Sequence, residues 1–266
     1  MRYAFRVAYD GSGYFGFARQ PGVPTVEGEL LDAFKKSGLL GDVSKADYSA
    51  ASRTDRGVSA VGQVVALNVL KTPNLRALNG ILPRDIAILS AAEVPPEFDP
   101  RKKVVQKHYR YICEAPPNFD LEIAKEASKL LTGTHDFRNF CKRDRKSTAL
   151  ELKRVSVRGK KILTMDFFAR AFLRQMVRRL ASAIIAAGAG EMSIQEIERA
   201  ISGKSEMAIK PAPAEGLILM DIKYRNLNLE TNAGYAEKFV NYLKEKHKSS
   251  LRSAAVLYTI MHSIKG

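Results

Sequence analysis

Cysteine occurs only twice in this chain of 266 residues, at Cys113 and Cys141. Two thiols without the paired spacing of a zinc site are too few for a disulfide framework, and both read as small buried hydrophobes in a reducing compartment. Histidine is scarce too, with four copies, and no His/Cys/carboxylate cluster stands out at metal-ligand spacing. No stretch is apolar and uncharged for long enough to span a bilayer. The opening "MRYAFRVAYDG" alternates charge with apolarity where a signal peptide needs an apolar core. The expectation is a soluble cytoplasmic protein with no membrane role. The Gly- and aromatic-rich segment 10–20 carries no phosphate-loop lysine, which argues against a nucleoside triphosphate site. Neither an internal repeat nor a low-complexity linker divides the chain.

What is abundant is positive charge: 43 Lys and Arg against 28 Asp and Glu, a net +15. Such a surplus concentrates polyanions and speeds their association without conferring sequence preference, so phosphate is the expected partner. Because the basic residues are spread along the whole chain, a membrane-surface segment is disfavoured.

Periodicity predicts alternating strands and helices. In "RYAFRVAYD", Tyr3, Phe5, Val7 and Tyr9 share one face, predicting a half-buried strand. The helix "TVEGELLDAFKKSG" has Thr25 as N-cap, Val26, Leu30 and Phe34 at helical spacing, and Gly38 as stop. Strands are expected near 46–51 and 61–69, then a short helix announced by Thr72 and Pro73. "IAILSAAEV" and "KVVQKHYRYICEA" read as strands on either side of the turn "PPEFDPR". In the second half, Asp120 caps the helix "DLEIAKEASKLLTG". "KILTMDFFAR" is a strand entering the helix "AFLRQMVRRLASAIIAAGAG", on which Arg170, Arg174 and Arg178 would share one side. "SIQE" has the capping-box form, and "LILMDIKY" is a final strand. The pattern predicts an α+β fold of two lobes sharing a mostly antiparallel sheet. The boundary falls near 105: residues 1–105 form the first lobe, 106–226 the second, and 227–266 a helical tail packed on the body or on a partner subunit.

One segment stands apart. In "SAASRTDRGVSA", residues 49–60, a single acid, Asp55, lies between Arg53 and Arg56, and Gly57 permits a sharp turn beside it. Flanking cations would keep the carboxylate ionised, which suits a nucleophile better than a general acid. An Arg/Asp pair that merely pins a turn fits the same residues. The adjacent His135 and Asp136 of "GTHDF" would point to opposite faces of a strand, so they read as turn-stabilising and not as a catalytic dyad.

Seven segments, in order, resemble the TruA family of tRNA pseudouridine synthases. They are "YDGSGYFGFARQ" with "TVEGEL", "SRTDRGVSA", "LNGILPRDI", "FDPR" before "KHYRYIC", "GTHDFRNFC", "FLRQMVRRL" and "PAPAEGLIL". The resemblance covers roughly residues 3–221 and leaves the tail outside. It implies two ferredoxin-like or RRM-like lobes on a shared mixed sheet, a homodimer, and a tRNA lying across a basic cleft. It also implies that Asp55 is the catalytic aspartate and that Arg53 helps displace the target base. Tyr109 would stack on the uracil and assist proton transfer, Arg178 would pair with the carboxylate, and Leu217 would line the uracil pocket. Arg56 stands where the family commonly has alanine and Ser59 where it has histidine, which gives Arg56 a place beside the substrate.

The implied chemistry suits these residue types. Converting uridine to pseudouridine breaks the N1–C1′ bond, turns the uracil and joins C1′ to C5, with no atom lost and no redox change, so no metal and no cofactor is demanded. One carboxylate can attack or stabilise C1′, or abstract a proton at the sugar. A closed pocket must hold the detached ring away from water. The target nucleotide must leave its stack, at a cost of about a few kcal/mol. The expected substrates are uridines 38, 39 and/or 40 of the anticodon arm. The competing expectation is a catalytically idle RNA-binding protein on the same scaffold.

Overall fold

A computed structural model describes residues 1–142, 147–203 and 206–265. Among the described residues nine strands form one sheet: β1 (Arg2–Tyr9), β2 (Ser49–Ala50), β3 (Ser59–Asn68), β4 (Ile86–Val94), β5 (Val104–Glu114), β6 (Gly133–Asp136), β7 (Ala149–Gly159), β8 (Ile162–Ala169) and β9 (Leu217–Tyr224). Their order is β4-β1-β3-β9-β5-β8-β7-β6, with β2 pairing β3. Every pair is antiparallel except β3 with β9, where Ser59 and Ala60 meet Ile218 and Leu219. The first four strands thus lie on one side of this parallel junction and the others on the opposite side. One large apolar core runs beneath both, with a small second cluster under the tail. The mixed α+β architecture and mostly antiparallel sheet agree with the sequence pattern.

The helices are α1 (Val26–Lys36), α2 (Leu75–Ile81), α3 (Leu121–Leu131), α4 (Met176–Gly188), α5 (Ile194–Ile201) and α6 (Glu237–Lys265). Helix α1 starts where Thr25 accepts a hydrogen bond from the Gly28 N–H at 3.3 Å. Acids occupy its first turn and lysines its last, complementing the helix dipole. Val26, Leu30 and Phe34 are fully buried, each stabilising by roughly 1.5–3 kcal/mol, and Gly38 ends the helix at φ +70°. Asp120 caps α3, and Ser193 with Glu196 forms the capping box of α5. Both matches follow from side chains that satisfy the free N–H groups of a first turn.

Four expectations are corrected. Strand β1 is not half-buried: it is central, six of its eight residues are buried, and at its end Ala8 packs with Ala87 and Leu89 against Ala236 and Phe239 of the tail. Strand β2 is only two residues long, because a 3₁₀ turn over Val43–Lys45 takes the chain before it. The cap of α2 is Asn74, whose side chain accepts from the Ala77 N–H, and not Thr72. Helix α4 begins at Met176, five residues later than its apolar spacing predicts. Gln175 sits in the left-handed region at φ +61° and breaks the helical path, so Arg170 and Arg174 lie on a loop and share no helix face with Arg178.

The tail runs through a 3₁₀ turn over Ala233–Tyr235 into the single helix α6. Its first turns pack on β4 through Phe239 and Tyr242, and the Lys246 ammonium and Tyr242 hydroxyl both reach the Asp10 carboxylate. Residues 247–264 are exposed, including Leu251, Val256, Leu257, Ile260, Met261 and Ile264. Gly266 lies outside the described residues. No described helix is long and apolar enough to cross a membrane.

Candidate active site

The segment 51–58 turns between β2 and β3 with the Val58 N–H donating to the Asp55 carbonyl at 3.2 Å. Gly57 takes φ +84°, and a Cβ there would come within 3.3 Å of Ala214. The turn is backed by the segment 11–17. The Phe17 N–H donates to the Thr54 carbonyl at 3.1 Å, and the Tyr9 and Thr54 hydroxyls share a buried hydrogen bond of 2.8 Å. Gly16, at φ +110°, lies so close that a Cβ would sit 3.2 Å from the Thr54 carbonyl oxygen. Ser59 accepts from the Gly11 N–H at 3.1 Å and ties the two segments together. This scaffold fixes the direction in which Asp55 points.

Asp55 lies in a cleft of about 1220 Å³. Its ion-pair partner is Arg178, not its sequence neighbours: Nη1 donates to Oδ2 at 3.0 Å, with the carboxylate side chain 28 % exposed and the arginine 14 %. Arg178 is itself held by a proline-rich segment. Its Nε donates to the Ala212 carbonyl at 2.7 Å, and its own carbonyl accepts from the Ala212 N–H at 3.1 Å. The guanidinium therefore meets Asp55 in a preset orientation.

Tyr109 and Leu217, on adjacent strands β5 and β9, are both buried and both line the cleft. The Tyr109 ring meets Phe172 edge-on at 5.1 Å between centroids, and its hydroxyl lies 3.0 Å from Ser52 Oγ. Burial pushes the phenol up to about 12 and the negative charge of Asp55 pushes the same way, while the hydrogen bond with Ser52 opposes them. Tyr109 is thus a neutral phenol at physiological pH.

Arg53 and Arg56 are exposed on the cleft wall with Arg101 and Arg174. The Arg56 guanidinium carbon stands 4.1 Å from the centroid of the Phe15 ring, a cation–π contact. All six residues singled out by the sequence, Arg53, Asp55, Arg56, Tyr109, Arg178 and Leu217, line this one cleft. His135 and Asp136 do not line it. His135 Nε2 is 3.0 Å from the Thr132 carbonyl, and Asp136 is engaged by Arg138 and Thr148. Of the two cysteines, Cys141 is buried and Cys113 only half-buried. Among the described residues no group of three His, Cys, Asp or Glu side chains gathers to hold a metal.

Sequence reasoning missed four contributors. Phe15 and Phe172 lie on loops, where no periodicity marks a cleft-facing aromatic. Lys107 had a signal, because it precedes Tyr109 by two on one strand and therefore shares its face. Ser52 lies inside the conspicuous "SAASRTDRGVSA" but was overshadowed by its charged neighbours.

The chain aligns with its relatives over nearly their whole length. The family described as tRNA pseudouridine synthase matches residues 127–225. A protein of Pyrococcus abyssi named tRNA pseudouridine synthase A is 40% identical over 98% of this chain and 99% of its own length. A protein of the same name from Thermococcus sibiricus is 39% identical over 97% of each chain, and one from Methanothermobacter thermautotrophicus is 36% identical over 92% of this chain and 90% of its own. With 98% of the chain covered, the P. abyssi alignment runs into the tail, which the resemblance of segments had left outside.

Proposed function

The chain belongs to the tRNA pseudouridine synthase A family, an isomerase family converting uridine to pseudouridine in tRNA, and on that premise we propose that Asp55 is its nucleophile. The observation that carries this reading is the Asp55–Arg178 pair facing Tyr109 and Leu217 across one cleft.

In this reading the target uridine leaves its stack and its uracil enters between Tyr109 and Leu217. Arg53 fills the vacated position and Arg56 holds neighbouring RNA. An Asp55 oxygen bonds C1′ as the N1–C1′ bond breaks, and its electron pair leaves with the uracil. Arg178 orients the carboxylate and moderates its charge without protonating it, since a guanidinium does not surrender its proton at neutral pH. The aromatic and aliphatic walls retain the detached ring, which turns until C5 faces C1′. C5 then bonds C1′, the Asp55 oxygen departs with its electrons, the C5 hydrogen is lost and N1 gains one. The reaction balances without metal or cofactor.

The substrates proposed are uridines 38, 39 and/or 40 of the anticodon arm. A cytoplasmic homodimer with tRNA lying across clefts from both subunits is part of the same proposal. The binding of tRNA in the cleft is supported by the net charge of +15 and the arginines on the cleft wall. So is the division of the sheet at β3–β9 into two ferredoxin-like lobes, 1–105 and 106–226, supported by the strand order.

The test compares wild type with Asp55→Asn on unmodified tRNA transcripts, mapping pseudouridine at single-nucleotide resolution and measuring RNA affinity at fixed salt. Product in the anticodon arm from wild type, with none from a variant that still binds, is the expected result. Equal product from both would reduce Asp55 to a turn-holding residue.

A further inference from the structure

Behind Tyr109 lies a polar chain that the reaction as described does not use. Strand alternation puts Lys107 and Tyr109 on one face of β5, while His108 and Arg110 point to the other, where they hold Asp166. Lys107 is 8% exposed. Its Nζ donates to the Ala51 carbonyl at 2.6 Å and to Ser52 Oγ at 2.9 Å. Ser52 Oγ in turn lies 3.0 Å from Tyr109 Oη.

The serine at the centre of this chain is held by a dedicated residue. Gln63 is fully buried. Its Nε2 donates to the Ser52 carbonyl at 2.8 Å and its Oε1 accepts from the Ser52 N–H at 3.2 Å. A buried glutamine committed to both backbone groups of one serine fixes where that hydroxyl sits, three residues before Asp55.

The donors and acceptors give the chain a direction. An ammonium has hydrogens to give and no lone pair to receive. When Lys107 donates to Ser52 Oγ, the serine hydrogen is available for Tyr109 Oη. Tyr109 then accepts at its oxygen, and its own hydrogen is left for a molecule in the cleft. A phenol that accepts a hydrogen bond backed by a cation is also poised to carry negative charge briefly.

We propose that Lys107 and Ser52 are positioning residues that let Tyr109 exchange protons with the detached uracil. This rests on the reading of Asp55 as nucleophile. Tyr109 gives its hydrogen to N1 of the turned ring and is left as a phenolate, held by Ser52 and, through it, by Lys107. Once C5 has bonded C1′ and the Asp55 oxygen has left with its electrons, the phenolate takes the C5 hydrogen. One proton leaves Tyr109 and one returns, so no other acid or base is consumed. Asp55 assists by timing: while its oxygen is bonded to C1′ it carries no charge, and its repulsion of a phenolate disappears.

The experiment measures single-turnover rates of wild type, Ser52→Ala, Lys107→Met and Lys107→Arg on tRNA transcripts containing either ordinary or 5-deuterated uridine, across pH. Melting temperature and tRNA affinity are measured for each. The expected result is a 10- to 100-fold lower rate at saturating tRNA for Ser52→Ala and Lys107→Met, about the size of a general acid–base contribution. Unchanged tRNA affinity, a deuterium effect larger than in wild type, an optimum displaced to higher pH, and partial recovery in Lys107→Arg complete the expectation. A Ser52→Ala enzyme with wild-type rate, pH profile and isotope effect would overturn the proposal. So would a slower variant whose isotope effect and pH profile match wild type, since that is the mark of a merely structural serine. Because Ser52→Ala removes one oxygen, it keeps the question answerable if Lys107→Met does not fold. Asp55→Asn is run in parallel: product from that variant would sink the nucleophile reading itself, whatever Ser52 and Lys107 do.

Discussion

Arg178 and Asp55 are 123 residues apart in sequence, yet Arg178 spans from the Asp55 carboxylate at 3.0 Å to the Ala212 carbonyl at 2.7 Å. A planar fork with several donors does this in one conformation. A lysine ammonium at the end of a flexible stem cannot hold both. Arg178→Lys is therefore expected to keep the charge and lose the orientation. The single-turnover rate should fall about 100-fold, the scale of one misplaced electrostatic group in an active site, while tRNA affinity stays near wild type. An unchanged rate would mean that charge alone suffices at this position.

Arg56 does not serve Asp55, since its guanidinium lies against the Phe15 ring. The exposed pair makes a flat cationic platform on the cleft wall, suited to a base or a phosphate. Arg56→Ala should weaken tRNA binding and lower the slope of log K against log salt by about 0.7–0.9, one phosphate contact's worth. Phe15→Ala should cost about 1–3 kcal/mol of affinity if a base stacks there, with the salt slope intact. Filter binding of both variants over a salt series separates the two contributions.

These contacts show which parts of the site were legible in the sequence. Asp55, Gly57, Tyr109 and Arg178 stood in ordered segments whose residue types matched a known chemistry, and strand and helix periodicity placed most of the elements around them. Contacts between distant segments were not legible. Nothing in "SRTDRGVSA" says that Asp55 pairs with an arginine of α4 and not with Arg53 or Arg56, because sequence neighbours on a turn splay apart. The start of α4 is hidden for a related reason: apolar spacing continues through Phe172 and Leu173, while a left-handed Gln175 interrupts the backbone without altering that pattern. The burial of Ala8 at the end of β1 depends on a tail helix more than 200 residues away.

The tail helix does two separable things. Its first turns fasten Asp10, at the root of the cleft-lining segment 10–20, through Tyr242 and Lys246, and Asp10 is 8% exposed. Its last turns, residues 249–264, are exposed. Ending the chain after Lys248 should accordingly change the stability of the body by no more than about 0.5 kcal/mol. Lys246→Ala leaves a mostly buried carboxylate short of its cation and should cost about 1–3 kcal/mol. Urea unfolding of the two variants checks the contrast. A large loss on truncation would mean that the exposed half of α6 is buried in the working protein.

On the sheet face opposite Tyr109, Asp166 is surrounded by His108 at 2.6 Å, Arg110 at 2.8 Å and Arg158 at 2.6 Å, with its side chain 5% exposed. Burial alone would raise its carboxyl, but Arg110, His108 and Arg158 outweigh it and hold the group down at about 2. A carboxylate depressed in the folded state binds protons more weakly there than in the unfolded chain. Its contribution is therefore fully present above about pH 4, the ordinary aspartate range, and is lost as pH falls from there towards about 2. Wild type should lose stability over that window. Asp166→Asn should be less stable at neutral pH, because three cationic or ionisable groups then face each other without their anion, and its stability should vary less between pH 4 and 2. Thermal melts of both proteins at half-unit steps through that range test the sign. Parallel curves would show that Asp166 keeps the same proton affinity in the folded and unfolded chain.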